Sequence, residues 1–218
     1  MAAAGRAVAG SAFRGVTAGA TAATRGAAGS EIDWTNFNYP CSGEPCNLLH
    51  FDLAELRGKQ GDAVFTVVRT VYAWFLLSFG VVCLNFLNSF ILAVAIDSSV
   101  IYSGVNVVYG LFNFIIASVC GLFVVYNIYK GLAVPSPKAK RNGQAVMVVL
   151  LILSFIQMLM GAGNTNGFAN FGTDRMALAE AADLGIVGYW KAMTVIESLL
   201  WMGAVGLGVF AFWRLHTF

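Results

Sequence analysis

Two places in this sequence combine residue types that could support chemistry. In the first, Cys41 and Cys46 bracket a short segment that contains Pro45, and His50 follows four residues later. Two thiols and an imidazole could begin a zinc site, but a structural zinc site needs four ligands, and no fourth one is obvious here. We therefore expect a rigid, proline-flanked turn near the membrane surface, without a metal site.

The second place is Glu197, the one acidic residue well inside an apolar run. An ionisable group within a membrane is energetically costly and suggests a function by default. Thr194 lies three residues earlier on the same helix face and is a candidate hydrogen-bond donor to it. Proton and ion paths use chains of such groups, and only one is found here. We therefore expect a packing or interfacial role for Glu197.

Amide side chains form a further polar group within the apolar runs. They are Asn85, Asn88, Asn113 and Gln157. Such amides are expected to form hydrogen bonds between helices, each contributing about 0.6–2 kcal/mol. Ala204 and Gly208 have a small-xxx-small spacing, which allows two helices to approach closely. We interpret both features as contacts that hold a helical bundle together.

The sequence gives no positive indication of an enzyme. It contains no nucleophile–base pair, phosphate-binding loop or dinucleotide-binding fingerprint. Both histidines, His50 and His216, lie outside the apolar runs, so haem or di-iron ligation within a membrane has no support. We predict a protein without catalytic residues or cofactors.

The elements that position these residues follow from composition. Of the 218 residues, 58% are hydrophobic and only 11% are charged, whereas soluble domains carry about 25% charged residues. A spanning helix needs about 20 predominantly apolar residues. Four stretches meet this need: residues 70–96, 105–126, 145–162 and 190–213. Backbone groups must be paired within lipid, so all four are helices, and the predicted fold class is an all-α, integral membrane four-helix bundle.

Charged residues near the spans predict the orientation. The loop between the second and third spans carries four basic residues and no acidic one: Lys130, Lys138, Lys140 and Arg141. The opposite side is mainly acidic: Asp97, Asp174, Glu180 and Asp183. The excess of basic residues on cytoplasmic loops then predicts that the basic loop and both termini are cytoplasmic. A short interfacial helix is predicted around residues 176–184.

Three segments are predicted outside the bilayer. Residues 1–30 are rich in Ala, Gly, Ser and Thr, with three arginines and no acid. They are either a flexible cytoplasmic tail or an organelle presequence, and composition leaves both open. Residues 31–69 form a cytoplasmic segment with the Cys-Pro turn and an amphipathic stretch, and residues 214–218 form a cytoplasmic C-terminus.

Four short motifs stand in order along residues 31–218. They are Trp34 followed by Cys41, Pro45 and Cys46; the acidic-amphipathic stretch at residues 51–56; Tyr126, Ile128, Tyr129 and Lys130; and Arg214-Leu215-His216. In this order they resemble the secretory carrier-associated membrane proteins, a family of tetraspan vesicle proteins. Ser42 replaces the first proline of the family's cysteine element, and Asn127 stands where the family has Arg-Pro.

The resemblance implies a non-catalytic tetraspan protein of Golgi, trans-Golgi network, endosomal and secretory-vesicle membranes. Such a protein would act in vesicle-mediated transport, membrane fusion or protein trafficking, with cytosolic trafficking proteins or a second copy as partners. It also implies that residues 126–141 bind anionic phosphoinositides, through Lys130, Lys138, Lys140 and Arg141. No nucleic-acid partner is expected.

Two other interpretations stay open. The first is an accessory subunit of a mitochondrial or plastid membrane complex, with residues 1–30 as its presequence. The second is a small transporter that uses Glu197 and the intramembrane amides, although no inverted repeat or broken helix supports it.

Overall fold

The computed structural model describes residues 32–40, 47–96, 103–160, 167–171 and 174–218. The chain divides into two units, Met1–Lys59 and Gln60–Phe218. The helices are α1 (Leu53–Ala95), α2 (Ser103–Ala133), α3 (Pro137–Met160), α4 (Asp174–Ala181) and α5 (Val187–His216), with a 3₁₀ turn at Phe168–Asn170. Helices α1, α2, α3 and α5 are long and apolar enough to cross a membrane. The predicted all-α fold with four spanning helices is therefore confirmed.

The N-terminal unit contains two short strands that the sequence analysis did not predict. Strand β1 (Tyr39–Pro40) pairs antiparallel with β2 (Asn47–Leu49). Helix α1 then begins because Asp52 caps it: its Oδ1 accepts hydrogen bonds from the backbone N–H groups of Ala54 at 2.8 Å and Glu55 at 2.9 Å. Cys41, Pro45 and Cys46, three of the family-motif residues, lie outside the described residues.

Gly61 interrupts α1 at the boundary between the two units. Its φ of 84° and ψ of 175° are not helical. Glycine adopts a positive φ readily because it has no Cβ, whereas in other residues the Cβ makes this conformation sterically unfavourable. The predicted first span lies in the part of α1 that follows this break.

Small residues of the spanning helices pack against aromatic rings of neighbouring helices. A Cβ at Gly121 of α2 would lie 2.5 Å from the Phe75 ring of α1. A Cβ at Gly208 of α5 would lie 2.6 Å from the indole nitrogen of Trp74. Ala204 is also fully buried, so both small residues of the predicted spacing lie inside the bundle, where side chains of neighbouring helices fill the space at Gly208.

The outward face of the bundle is apolar, as a lipid-exposed surface requires. Large hydrophobic side chains are exposed all along it, including Val94 at 76%, Val119 at 62% and Phe112 at 57%. A contiguous apolar surface of this kind would be a liability in water. The same distribution is expected of helices that face hydrocarbon, where burial within protein brings no hydrophobic gain.

Helix α4 confirms the predicted short helix, although it ends earlier than residue 184. Asp183 has a positive φ of 50°, which stops the helix. Met176 and Ala179 are buried and pack with Trp190 of α5 in one apolar cluster. Lys191 of α5 forms an ion pair with Glu180 of α4.

The predicted basic loop at residues 126–141 is mostly helical. Helix α2 continues to Ala133 and α3 begins at Pro137, so only residues 134–136 form a turn. Ser136 precedes α3, and its hydroxyl lies 3.5 Å from the backbone nitrogen of Ala139. Proline suits the first position of a helix because its missing N–H would be unpaired there anyway. The corner between α2 and α3 is therefore a tight helical hairpin.

Candidate functional site

Glu197 is fully buried in α5 and joins it to α1 through two hydrogen bonds. Asn85 Nδ2 donates to Glu197 Oε2 at 2.8 Å, and Asn88 Nδ2 donates to Glu197 Oε1 at 3.0 Å. Asn85 and Asn88 are three residues apart, so both amides project from one face of α1. The arrangement can hold two helices in register, because each carboxyl oxygen has its own donor. We call Glu197, Asn85 and Asn88 the carboxyl–amide cluster.

Only part of this cluster was predictable from the sequence. The intramembrane amides were expected to form hydrogen bonds between helices, but Glu197 was not identified as their acceptor. The Thr194 hydroxyl, a candidate donor to Glu197, donates to the backbone carbonyl of Trp190 at 2.9 Å. The sequence did contain a signal for this pairing, namely the depth of each residue in its span. Glu197 lies seven residues after residue 190, where the fourth predicted span begins, and Asn88 lies eight residues before residue 96, where the first one ends. Antiparallel spans bring such positions to one level.

A cavity of about 180 Å³ lies beside the carboxyl–amide cluster, within the bundle. Asn85 belongs to both, since it donates to Glu197 and lines the cavity. The other polar lining residues are Trp74, Ser78, Asn113, Ser154, Gln157 and Trp201. The rest of the lining is apolar, including Phe75, Val82 and Leu150. The cavity therefore combines an apolar wall with several hydrogen-bonding groups.

Four lining residues each have a buried polar atom without a hydrogen-bond partner. These atoms are Trp74 Nε1, Ser78 Oγ, Asn113 Nδ2 and Trp201 Nε1. A buried donor left unpaired costs about 1–3 kcal/mol. Three of the four atoms are nitrogen donors, and an indole N–H can only donate. All four atoms are enclosed by neighbouring atoms and are not exposed to the cavity.

The basic residues predicted to bind lipid lie together at the corner between α2 and α3. Lys130 is half-buried, with its Nζ 5.7 Å from the centre of the Tyr126 ring. Lys138 and Arg141 are exposed, and Lys140 is half-buried, all within the first five residues of α3. In the part of the chain that the structure describes, Lys138, Lys140 and Arg141 form no ion pair. We call these three residues the basic corner.

Close backbone packing fixes this corner. A Cβ at Gly131 would lie 2.6 Å from the backbone nitrogen of Lys140, so the two helices touch through their backbones. The backbone N–H of Ser136 donates to the Gly131 carbonyl at 3.1 Å. The side-chain amide of Gln60 donates to the Ala133 carbonyl at 2.8 Å and satisfies one carbonyl at the C-terminus of α2.

The family-motif residues of α2 divide between two faces. Ile128 and Tyr129 are fully buried in the bundle. Ile128 packs on α3, where a Cβ at Gly143 would lie 2.8 Å from its Cγ1 atom. Tyr126 and Lys130 lie beside each other on a more accessible face. Half of this motif therefore packs helices together, and the other half is accessible at the basic end.

The N-terminal unit is built around His50, which is 4% exposed. Its Nδ1 lies 2.8 Å from the Asn36 carbonyl oxygen, and its Nε2 lies 2.8 Å from Glu55 Oε2. The Trp34 ring packs edge-on against it, with ring centroids 5.8 Å apart. The Thr35 hydroxyl and amide both donate to Asp33 and hold the pKa of that carboxyl below its usual value. Among the described residues, no group of three or more His, Cys, Asp or Glu side chains could hold a metal ion.

The predicted site residues thus fall into separate places. Glu197 and its amide partners join α1 to α5, the basic corner joins α2 to α3, and Trp34 lies in the N-terminal unit. Comparison of the chain with protein-family models, curated proteins and solved structures found no match.

Proposed function

We propose that this protein is a non-catalytic tetraspan component of secretory or endosomal vesicle membranes, acting in vesicle-mediated transport, membrane fusion or protein trafficking. Its basic corner would bind anionic lipid headgroups, including phosphoinositides, on the cytoplasmic side. The observation that carries the proposal is the clustering of Lys138, Lys140 and Arg141 at the start of α3 without ion-pair partners in the described chain.

The position of these basic residues at the N-terminus of a helix is electrostatically unfavourable. The N-terminus of a helix carries a partial positive charge, so a cation in its first turn costs about 0.3–1 kcal/mol. The first turn of α3 holds no acidic residue to offset that cost. An anionic partner would compensate for this unfavourable energy, since each basic residue near an anionic membrane surface gains about 1 kcal/mol of binding energy. The rule that cytoplasmic loops are basic predicts the same charges, so a direct test must measure lipid binding.

Lipid binding can be measured on the full chain in nanodiscs of phosphatidylcholine. Soluble dioctanoyl phosphatidylinositol bisphosphate is titrated, with dioctanoyl phosphatidylcholine as the neutral comparison. Replacing Lys138, Lys140 and Arg141 together with Gln is expected to weaken phosphoinositide binding about 100-fold, because three charges contribute about 1 kcal/mol each.

The matched control removes the same charge elsewhere. Replacing Arg6, Arg14 and Arg25 with Gln also lowers the net charge by three, and it is expected to leave binding within about twofold, since these residues lie outside the basic corner. An equal loss of phosphoinositide binding in both triple variants would mean that the overall charge of the chain, and not the basic corner, determines binding. No loss in the corner variant would exclude the corner as the lipid site.

The cellular role requires localisation. The chain carries a C-terminal tag, which leaves residues 1–30 free, and the mass of its mature N-terminus is measured. Punctate Golgi or endosomal signal with residues 1–30 retained is the expected result. Mitochondrial or plastid signal with cleavage near residue 30 would instead support an accessory subunit of an organelle membrane complex.

A further inference from the structure

The imidazole of His50 joins three segments of the N-terminal unit. His50 directly follows β2 and is 4% exposed. Its Nδ1 lies 2.8 Å from the backbone carbonyl oxygen of Asn36, which precedes β1, and its Nε2 lies 2.8 Å from Glu55 Oε2 in the first turn of α1. The Trp34 ring packs edge-on against the imidazole. One side chain therefore connects the segment before β1, the end of β2 and the start of α1.

Both ring nitrogens of His50 face oxygen atoms that only accept hydrogen bonds. A backbone carbonyl has no proton to donate, and neither has an ionised carboxylate. The ammonium group of Lys59 holds Glu55 in its ionised form, since its Nζ lies 2.7 Å from the other carboxylate oxygen, Oε1. A neutral imidazole carries a proton on one nitrogen only, so its second nitrogen would turn a lone pair towards an acceptor. The two contacts therefore require the imidazolium cation, with protons on both nitrogens.

The charged groups around His50 compensate for the burial of a cation. Helix α1 contributes Glu55 and Lys59. The segment before β1 contributes Asp33, which interacts electrostatically with His50. Asp52, in the connection between β2 and α1, accepts hydrogen bonds from backbone N–H groups of α1. The described residues of β1 and β2 include no charged one. With a protonated His50, two positive groups balance the acids Asp33 and Glu55, which offsets the loss of hydration.

We propose that His50 is a pH-sensitive switch in the N-terminal unit, protonated on both nitrogens while it joins Asn36 to Glu55 and released from one of them when it loses a proton. Histidine is the side chain whose charge ordinarily changes between about pH 5 and pH 8. A group that is protonated in the folded arrangement contributes stability at low pH, and this contribution is lost as the pH rises. The contacts of the N-terminal unit are therefore expected to weaken as the pH rises above about 6.5.

The structure also limits what the switch releases. The backbone N–H of Phe51 donates to Asn38 Oδ1 at 2.8 Å, and the backbone N–H of Asn38 donates to the Leu49 carbonyl at 3.1 Å. These contacts involve no ionisable group, so they persist when His50 becomes neutral. The expected change is a local loosening of the segment before β1. The proposal is independent of the proposed trafficking function, since the basic corner lies outside the N-terminal unit.

Nitrogen NMR of the histidine rings tests the protonation state on the full chain in nanodiscs. The chain has two histidines, and the exposed His216 is the internal reference. The ring nitrogens are isotope-labelled, and His216→Gln assigns the signals. His50 is expected to show two protonated nitrogens at a pH at which His216 is already mostly neutral. A single protonated nitrogen on His50 at that pH would overturn the proposal.

Two matched variants test the part that the carboxylate plays. Glu55→Gln keeps an oxygen acceptor beside His50 and removes the negative charge, whereas Glu180→Gln makes the same change in the ion pair with Lys191. Glu55→Gln is expected to weaken proton binding by His50 at least about tenfold, the usual effect of losing a neighbouring opposite charge. Glu180→Gln is expected to leave it within about twofold, since exposed charges are screened by salt. Equal titration of His50 in the two variants would contradict the proposal.

Amide hydrogen exchange shows whether this proton controls the structure. Rates are corrected for the intrinsic effect of pH on exchange. Protection of residues 36–40 and 47–50 is expected to fall roughly three- to tenfold between about pH 6 and about pH 8, the value of one hydrogen bond. His50→Gln is expected to remove this pH dependence, because glutamine does not titrate in this range.

Two exchange results would refute the switch. One is unchanged protection of the unmodified chain across this pH range, and the other is an equal fall in His50→Gln. Should His50→Gln fail to fold, the unmodified chain decides. Protection that falls at the pH at which His50 loses its proton supports the switch, and protection that falls at any other pH overturns it.

Discussion

Replacing Glu197 tests whether the carboxyl–amide cluster stabilises the bundle. Glu197→Leu removes both acceptors and leaves the side-chain amides of Asn85 and Asn88 buried without them. Glu197→Gln is nearly isosteric and keeps one acceptor oxygen. The two variants differ in hydrogen bonding far more than in volume, so their comparison isolates the polar contribution.

The structure gives the magnitude for each variant. Glu197→Leu removes two intramembrane hydrogen bonds, at 2.8 and 3.0 Å, each contributing about 0.6–2 kcal/mol, which gives a loss of roughly 1–4 kcal/mol in the free energy of unfolding. Glu197→Gln presents an NH₂ group to one amide. Asn88 Oδ1 is buried without a partner, so rotation of the Asn88 amide would restore a donor–acceptor pair. We expect a loss below about 1 kcal/mol for Gln.

The assay is reversible unfolding of the purified full chain in mixed micelles by increasing amounts of dodecyl sulfate. Tryptophan fluorescence reports the transition, because Trp74, Trp190 and Trp201 are buried in the bundle. A double-mutant cycle adds Asn85→Leu to Glu197→Leu. The combined loss should fall short of the sum of the two single losses, since both remove the same hydrogen bond.

Three results would contradict this reasoning. Glu197→Leu could be as stable as the unmodified chain, Glu197→Gln could be as destabilised as Glu197→Leu, or the Asn85→Leu and Glu197→Leu losses could add fully. Any of these would mean that the cluster contributes no pairwise stability, and that Glu197 is retained in α5 for another reason.

Two glycine positions give further predictions from close packing, with Gly206→Ala as the shared control because a Cβ there meets nothing within 4 Å. Gly208→Ala is expected to destabilise the bundle by about 1–3 kcal/mol in the same unfolding assay, since its Cβ would lie 2.6 Å from the indole nitrogen of Trp74. Gly131→Ala is expected to separate α2 from α3 at the corner, since its Cβ would lie 2.6 Å from the Lys140 backbone nitrogen, and amide hydrogen exchange near residue 140 should rise. Wild-type stability for Gly208→Ala, or unchanged exchange for Gly131→Ala, would contradict the described packing.

The four spanning helices were predictable because few backbone conformations satisfy their own hydrogen bonds in hydrocarbon. A run of about 20 apolar residues has to be helical in lipid, and each predicted span overlaps a helix of the structure. The helix ends were less predictable, since the predicted second span ended at residue 126, near the first charged residue. The helix continues to Ala133 because outside the apolar core a polar helix is as acceptable as a loop.

Some features depended on signals that were present but weak. Ser136 followed by Pro137 is a helix start, which the charge-based assignment of a loop at residues 126–141 overlooked. The strands Tyr39–Pro40 and Asn47–Leu49 are too short to show the alternation that identifies a strand. The sequence alone could therefore suggest the first feature and not the second.

The candidate site was the least predictable part. Sequence spacing shows that Asn85 and Asn88 share a face, but it does not show which helix faces them. That depends on how α1 and α5 rotate against each other, which is set by contacts such as Trp74 with Gly208. The cavity is harder still, because it arises from side chains of all four spanning helices that fail to fill the space between them.

The distance in sequence between the two ends of the carboxyl–amide cluster has a consequence for biosynthesis. Asn85 and Glu197 are 112 residues apart, and a ribosome adding about 5–20 residues per second needs roughly 6–22 s to cover that distance. During that time α1 enters the membrane with two amides whose acceptor has not been made. A chain that stops before α5 keeps those amides unpaired in lipid. The two hydrogen bonds of the cluster can therefore form only after α5 has been synthesised.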